Sequence, residues 1–313
     1  MRKYCNSLIC IAAVLFSASF GYWGRSYIPW EVKDAILRSP FYEFYTTHFR
    51  DIKNIDDDHV LSYLDNGMKI VVNKHDRCVC YAIRALGYWD KTETNVIKAL
   101  VKQGDTVVEV GANFGVHTLR FSELVGSSGK VYSFEANPRV AKYLRQSLDI
   151  NNIQNVDLRN AGIGDRDYDA QMIYESSNIG AGYILSSEEA FKTCKVKECQ
   201  PVRMTTLDKE LVDLTVDFLK IDIEGYEPYL FKGAQKIIAS NKNLTILMEW
   251  DLGHMKRGGG DVNVLVSYLK NQDFKAWILV RGIGMKKINL EDLRHVPACD
   301  VVLSRKDLRD FSL

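Results

Sequence analysis

The residues best placed to do chemistry are two acids and two glycines. Glu109, Gly111 and Gly115 lie in "TVVEVGANFGVHT" (Thr106–Thr118), and Glu135 closes the next apolar run, "VYSFEANP". Val107, Val108 and Val110 can form a buried strand, the glycines break it, and a helix-compatible run follows. The free N–H groups at the start of that helix can receive a carboxylate or a phosphate. A phosphate-binding P-loop needs Lys-Ser/Thr after its last glycine, and here Gly115 is followed by Val116-His117. A dinucleotide fingerprint needs G-x-G-x-x-G, which the 111/115 spacing does not supply, and Glu109 would repel a pyrophosphate. A sulfonium cofactor suits the loop better. It carries an ammonium and a positive sulfur, which Glu109 attracts, and a ribose diol, which Glu135 can accept in bidentate fashion. The ribose clamp alone is shared with nicotinamide sites; its combination with Glu109 and the glycine spacing is what discriminates.

A second set of acids follows. "FLKIDIEGYE" carries Asp222 and Glu224 two residues apart, so a continuing strand would put both on one face. Phe218, Leu219, Ile221 and Ile223 surround them, which predicts that at least one carboxylate is desolvated, with a raised pKa suited to a general base. The competing reading is a carboxylate that fixes the "EGYE" loop by accepting its amides. "LMEWDLGH" brings Glu249 and His254 to the same sheet edge, and His254 is an alternative base. His117 reads as structural or adjacent to substrate. No metal ligand is assigned, because carboxylates in a cleft need no ion to explain them.

These residues must be positioned by alternating strands and helices. Strands are expected over Val107–Gly111, Val131–Glu135, Val156–Asn160, Phe218–Ile223, Leu244–Trp250, Ala276–Val280 and Asp300–Leu303. Asn137 can cap a helix that begins with Pro138. Such alternation implies a parallel-dominated sheet with helices on both faces. The mixed stretch 166–206 reads as an insertion that builds the substrate side. Upstream, "VLSYLDNGMKIVVN" is a hairpin around a two-residue Asn66-Gly67 turn, and Trp30–Phe49 reads as helix interrupted near Pro40.

Composition bounds the class. A chain of 313 residues with 46% hydrophobic and 26% charged content can bury a globular core. Its net charge of +1 gives no strong field pointing to nucleic acid, so none is expected as partner. The N-terminus stands apart. Arg2 and Lys3 precede an uncharged run whose apolar centre, Leu8–Phe20, suits a cleaved signal or, with its flanks, a single transmembrane anchor. The chain is therefore expected to be membrane-associated, single-pass or signal-targeted. Of seven cysteines, Cys194 and Cys199 could close a small disulfide loop in an exported chain, and no CxxC pair suggests structural zinc.

The segments "GDTVVEVGANFGVHTLRFSELVGSSGKVYSFEANP", "NAGIGD", "TTLDKEL" and "VDFLKIDIEGYEPYLFKGA" together resemble the FkbM family of Rossmann-like S-adenosylmethionine-dependent methyltransferases. The resemblance runs from Gly104 to Ala234, with 60–104 also similar. It implies an α/β fold: a mostly parallel, seven-stranded sheet ending in an antiparallel hairpin, with helices on both faces. It implies S-adenosylmethionine as cofactor, held by Glu109, Gly111, Asn113, Gly115 and Glu135. Asn113 would line the methionine end. Asp165, in the turn after the third strand, would meet the adenine amino group, or else is an ordinary turn aspartate. It implies methylation of a hydroxyl on a sugar, glycolipid or secondary metabolite, with Asp222, Glu224 and His254 as catalytic candidates. The Asn/Asp-Pro-Pro-aromatic motif of many amino-group methyltransferases is replaced by Asp222-Ile223-Glu224-Gly225, which favours oxygen. The expected organisation is a targeting segment at 1–24, a helix and hairpin extension at 25–100 and the methyltransferase domain at 101–305. A small molecule or glycan is the expected acceptor, with a membrane engaged through the N-terminal segment. The alternatives are an NAD-dependent oxidoreductase and a non-catalytic membrane-anchored binding protein.

Overall fold

The computed structural model describes residues 52–185, 194, 198–280, 284–308 and 311–312. Segment 1–24 and the helix expected over Trp30–Phe49 lie outside these residues. Among the described residues no helix is long and apolar enough to cross a membrane. The expectation of a membrane-associated chain is corrected on that ground and is not carried further.

The chain divides into two compact units between Lys91 and Thr92. In the smaller, strands β1 (Lys53–Asn54), β2 (His59–Tyr63) and β3 (Lys69–Asn73) form an antiparallel sheet followed by helix α1 (Val79–Leu86). The expected hairpin is present, but its loop is longer than two residues. Leu64 N–H donates to the Met68 carbonyl at 2.8 Å, leaving Asp65, Asn66 and Gly67 in the loop, with Gly67 at φ +85°. Such a three-residue loop ends in a left-handed residue, which glycine adopts without strain.

The larger unit begins at the second residue of α2 (Lys91–Leu100) and continues β4 (Thr106–Val110), α3 (Val116–Val125), β5 (Lys130–Phe134), α4 (Pro138–Ile150) and β6 (Val156–Arg159). Asn137 caps α4 as expected, its Oδ1 accepting from Arg139 N–H at 3.0 Å. Then come β7 (Gly162–Ile163), β8 (Tyr168–Glu175), β9 (Asn178–Leu185), β10 (Glu198–Thr205) and α5 (Leu207–Glu210). The rest is β11 (Phe218–Ile221), α6 (Glu227–Lys232), α7 (Gln235–Ser240), β12 (Thr245–Asp251), α8 (Leu252–Arg257), α9 (Val262–Asn271), β13 (Lys275–Val280), β14 (Gly284–Ile288), β15 (Ala298–Ser304) and β16 (Phe311–Ser312).

The main sheet has nine strands in the order β16-β14-β13-β15-β12-β11-β4-β5-β6. The run β12-β11-β4-β5-β6 is parallel, while β15, β13, β14 and β16 are joined by antiparallel pairing, so the sheet is mixed rather than mostly parallel. All seven expected strands are present. The two additional ones, β14 and β16, extend the antiparallel edge. Both faces are covered, as the doubly wound pattern requires. Leu219 and Ile221 of β11 pack with Leu230, Ile238 and Leu265 on one side. Phe218 packs with Val96, Phe121 and Val125 of α2 and α3 on the other. Strands β7, β8, β9 and β10 form a separate sheet in the order β7-β10-β8-β9, and Cys194 is joined to Cys199 by a disulfide.

The parallel core is tight at its carboxyl edge. Gly111 sits at φ +88°, and a Cβ there would lie 1.8 Å from the Asp222 carbonyl oxygen. Asp222 N–H in turn donates to the Val110 carbonyl at 2.9 Å. Relieving such an overlap means separating β4 from β11. Gly111→Ala should therefore cost about 3 kcal/mol or more, combining left-handed strain with overpacking. Gly104 has a similar φ, +87°, but open surroundings. Gly104→Ala should cost only the strain, about 1–2 kcal/mol. Urea unfolding of the two variants checks the difference.

Candidate active site

The carboxyl ends of β4, β5 and β11 converge where sheets of this type bind ligands. At β5, Glu135 is buried and both of its oxygens are engaged: Oε2 accepts Asn113 N–H and Oε1 accepts Asn137 N–H, each at 2.8 Å. Burial pushes its carboxyl up to about 7, against the pull of those two amides, and the nearby Glu109 and Asp222 carboxylates add to the rise. Each carboxylate oxygen can accept more than one donor, so two hydroxyls still fit. A buried carboxylate held this high would be relieved by further hydrogen-bond donors.

Glu109 is held by side chains of two neighbouring elements. It is 1% exposed, with Oε2 accepting from Thr118 Oγ1 and, at 3.0 Å, from Ser133 Oγ. Burial raises its carboxyl, opposed first by the Thr118 hydroxyl and by the charges of His117 and Lys220. The acid thus ties α3 and β5 to β4 beneath the loop. Gly115, at φ +93°, makes room for a helix: a Cβ there would meet Leu144 Cδ1 of α4 at 2.2 Å. Asn113 occupies a left-handed conformation, φ +52°. Its Oδ1 accepts Phe114 N–H at 2.9 Å and its Nδ2 donates to the Gly180 carbonyl of β9 at 3.2 Å. Asn137 Nδ2 reaches the Ile179 carbonyl at 3.3 Å, so β9 of the insertion lies over the loop. Asp165 follows β7, pairs with Arg166 at 3.3 Å, and adjoins Gly164, which packs on the Tyr226 ring.

The two acids expected on one face separate into two clusters. Strand β11 ends at Ile221, and the chain then turns through left-handed Glu224 (φ +56°) and Gly225 (φ +105°), so strand alternation does not reach Glu224. Asp222 faces inward to Lys220, Oδ2 to Nζ 3.2 Å. An ammonium, and not the expected apolar wall, is its neighbour. Glu224 turns to His254, Oε2 to Nδ1 3.1 Å, with Glu249 Oε2 3.9 Å from the same nitrogen. Asp251 caps α8 by accepting His254 N–H at 2.8 Å, and Gly225 lets the His254 carbonyl approach where a Cβ would stand 2.2 Å away. The atoms of Glu224, Glu249 and His254 lie within 4.8 Å of one another. Arg257 donates to the Glu224 carbonyl at 3.0 Å and stacks on Tyr183 of β9, 4.4 Å from the ring centroid.

The role of fixing the "EGYE" loop falls to Glu227, which sequence reasoning did not single out. It is 1% exposed, and its Oε1 accepts Ile223 N–H and Gly225 N–H, both at 3.3 Å. Burial pushes its carboxyl up to about 7. Lys220 and Glu93 were also not singled out, and His117, read as structural or adjacent to substrate, is buried. A lysine alternating with apolar residues inside a core strand was the available signal.

This sheet, with helices on both faces, is the fold of a Rossmann-like methyltransferase, a class that takes its methyl group from S-adenosylmethionine. The family follows. The chain belongs to the FkbM methyltransferases, whose domain model, "Methyltransferase FkbM domain", matches residues 109–276, more than half of its length. Protein-L-isoaspartate O-methyltransferase 2 of Archaeoglobus fulgidus is 35% identical over 81 residues, covering 26% of this chain and 36% of that protein. The tRNA (adenine(57)-N(1)/adenine(58)-N(1))-methyltransferase TrmI of Methanocaldococcus jannaschii is 38% identical over 53 residues, covering 17% and 19%. The chain thus spans about a third or less of the length of these two curated relatives. A SAM-dependent methyltransferase from Aquifex aeolicus superposes with a TM-score of 0.38 at 15% identity, covering 68% of this chain and 88% of that one.

Glu135 generates a pH dependence. Its carboxyl rises from 4.5 to about 7 on folding, so between those values the folded chain holds the proton and folding stability declines as pH rises. Two hydroxyl donors favour the ionised form, so affinity for S-adenosylhomocysteine should increase with pH through about 7. In Glu135→Gln the affinity should be roughly 10- to 100-fold weaker and this slope should vanish. Calorimetric titration across pH 5.5–8.5 is the measurement.

Proposed function

We propose that the chain transfers the methyl group to a hydroxyl of a glycan or small molecule, with Asp222 receiving the proton. The observation that carries this reading is the division of labour after β11. Glu227 already serves the loop amides, which leaves Asp222, 36% exposed at its side chain, at the edge beside Gly111. Glu224, engaged by His254 and close to Arg257, is better placed to orient the acceptor than to take its proton.

Glu135 would hold the ribose, and Asn113 would line the methionine end beneath β9. S-adenosylmethionine, when bound, supplies a methyl group activated by its positive sulfur. The remaining steps belong to the chain. Displacement at carbon requires the hydroxyl, methyl and sulfur in line, so the first task is alignment by Glu224, His254 and the β9 wall. A hydroxyl that has begun to bond to carbon is strongly acidic. An ion-paired carboxylate is therefore basic enough to receive its proton, and Asp222 is that group. The absence of the Pro-Pro-aromatic motif at this strand end supports oxygen over nitrogen.

The full chain should be incubated with methyl-labelled S-adenosylmethionine and separate pools of glycans, lipids, small metabolites, protein and RNA. RNA is included because one matched relative is named for tRNA. Label on a hydroxyl oxygen of a glycan, lipid or metabolite is expected, and label on nitrogen, protein or RNA overturns the reading. With that acceptor, Asp222→Asn should lower kcat by roughly 10²- to 10⁴-fold while leaving S-adenosylhomocysteine affinity within about threefold. Tight NAD(H) binding with none of S-adenosylhomocysteine would instead favour an oxidoreductase.

A further inference from the structure

A line of buried charge runs beneath the cofactor loop and surfaces at Asp222. His117 Nε2 of α3 lies 2.9 Å from Glu93 Oε2 of α2, and Glu93 Oε1 lies 3.3 Å from Lys220 Nζ. Lys220 Nζ lies 3.2 Å from Asp222 Oδ2. Side-chain exposure along this line is 9%, 8%, 2% and then 36%. Three members are shut in the core and the fourth opens at the edge.

A buried ion pair is weak evidence for stability, because desolvating two ions offsets much of their attraction. If Lys220 and Glu93 served packing alone, they would form a closed pair on the face of β11 that Phe218 shares with α2 and α3. Instead Lys220 divides its ammonium between Glu93 behind it and Asp222 ahead. Burial opposes its charge, but the carboxylates that face it, Glu93, Asp222, Glu109 and Asp300, outweigh burial and keep it protonated. Glu93 is held well below the usual carboxylate range, with burial overcome by Lys220 and His117.

We infer that Lys220, anchored by Glu93, is a positioning residue that fixes the Asp222 carboxylate for methyl transfer. Lys220 touches Asp222 through Oδ2 and leaves Oδ1 for the acceptor. Glu93 lies outside residues 109–276, so the device recruits α2, an element that the matched domain does not include. The inference rests on the reading of Asp222 as the proton acceptor.

The test pairs Glu93→Gln with Lys220→Met. This double variant removes both buried charges together and avoids leaving one ion unpaired in the core. Its melting temperature and its affinity for S-adenosylhomocysteine establish that the cofactor loop is intact. With the acceptor found by labelling, kcat should fall about 100-fold, the scale of a misplacement near 1 Å, while KM changes little. Adding Asp222→Asn should lower kcat no further than Asp222→Asn does alone, because both changes act on one group. Lys220→Arg, which keeps the charge, should recover part of the loss. A crystal structure of the double variant with S-adenosylhomocysteine should show Asp222 in a new or divided rotamer above an unchanged loop. An unshifted Asp222 overturns the inference, as does near-normal kcat in the double variant. Effects of Glu93/Lys220 and Asp222 that simply multiply also overturn it. If Asp222→Asn itself is silent, the assignment of Asp222 as base fails, and the inference with it. If Asp222→Asn impairs turnover while the double variant does not, only the inference fails.

Discussion

A carbonyl oxygen occupies the space where any side chain at position 111 would begin. The Asp222 carbonyl sits against Gly111, and its amide is bonded to Val110, so the ends of β4 and β11 are joined as closely as two backbones can be. The rest of the site depends on that approach. It aims the cofactor loop over the sheet edge, brings Glu135 of the neighbouring strand under Asn113, and sets the Asp222 side chain beside the loop. Glycine is required here twice over, for its left-handed backbone and for its missing Cβ.

Beneath this junction the protein tolerates charge where apolar packing would be simpler. Glu109, Glu93, His117 and Lys220 are all buried, yet each has hydrogen-bonding or ionic company drawn from a different element. In a low-dielectric interior such groups hold one another in fixed geometry because the alternative, an unpaired ion, is costly. Glu135 and Glu227 follow the same logic at the loops: a buried acid is kept by backbone amides and organises them in return. The cofactor edge is in this sense built from the charges behind it.

The seven expected strands were legible because valine-rich runs broken by glycine have few other solutions, and the cofactor was legible because the glycine spacing after the first strand does not fit a phosphate-binding loop. What escaped was set by geometry beyond the local pattern. Asp222 and Glu224 share a parity in sequence, but the chain leaves the strand at Ile221 and turns left-handed at Glu224, which sends them to separate partners. Lys220 gave a signal, a charged residue between Leu219 and Ile221. Its meaning needed Glu93, which lies far away in sequence. The sequence also did not show that Thr118 and Ser133 hold one oxygen of Glu109. Strand β14 pairs with its sequence neighbour β13, whereas β16 reaches β14 from more than twenty residues away and leaves little local trace.

The insertion meets the cofactor loop in an instructive way. Asn113 and Asn137 grip β9 through the carbonyls of Gly180 and Ile179, not through side chains. Main-chain contacts are indifferent to most substitutions in the strand that supplies them. Strands β8, β9 and β10 can therefore exchange the side chains they turn toward an acceptor while the grip on the loop persists. Gly180 is the exception, since a Cβ there would stand 2.4 Å from Asn113 Oδ1. The architecture separates what must be inherited unchanged from what is free to diversify, so the insertion can change its side chains without rebuilding the loop it covers.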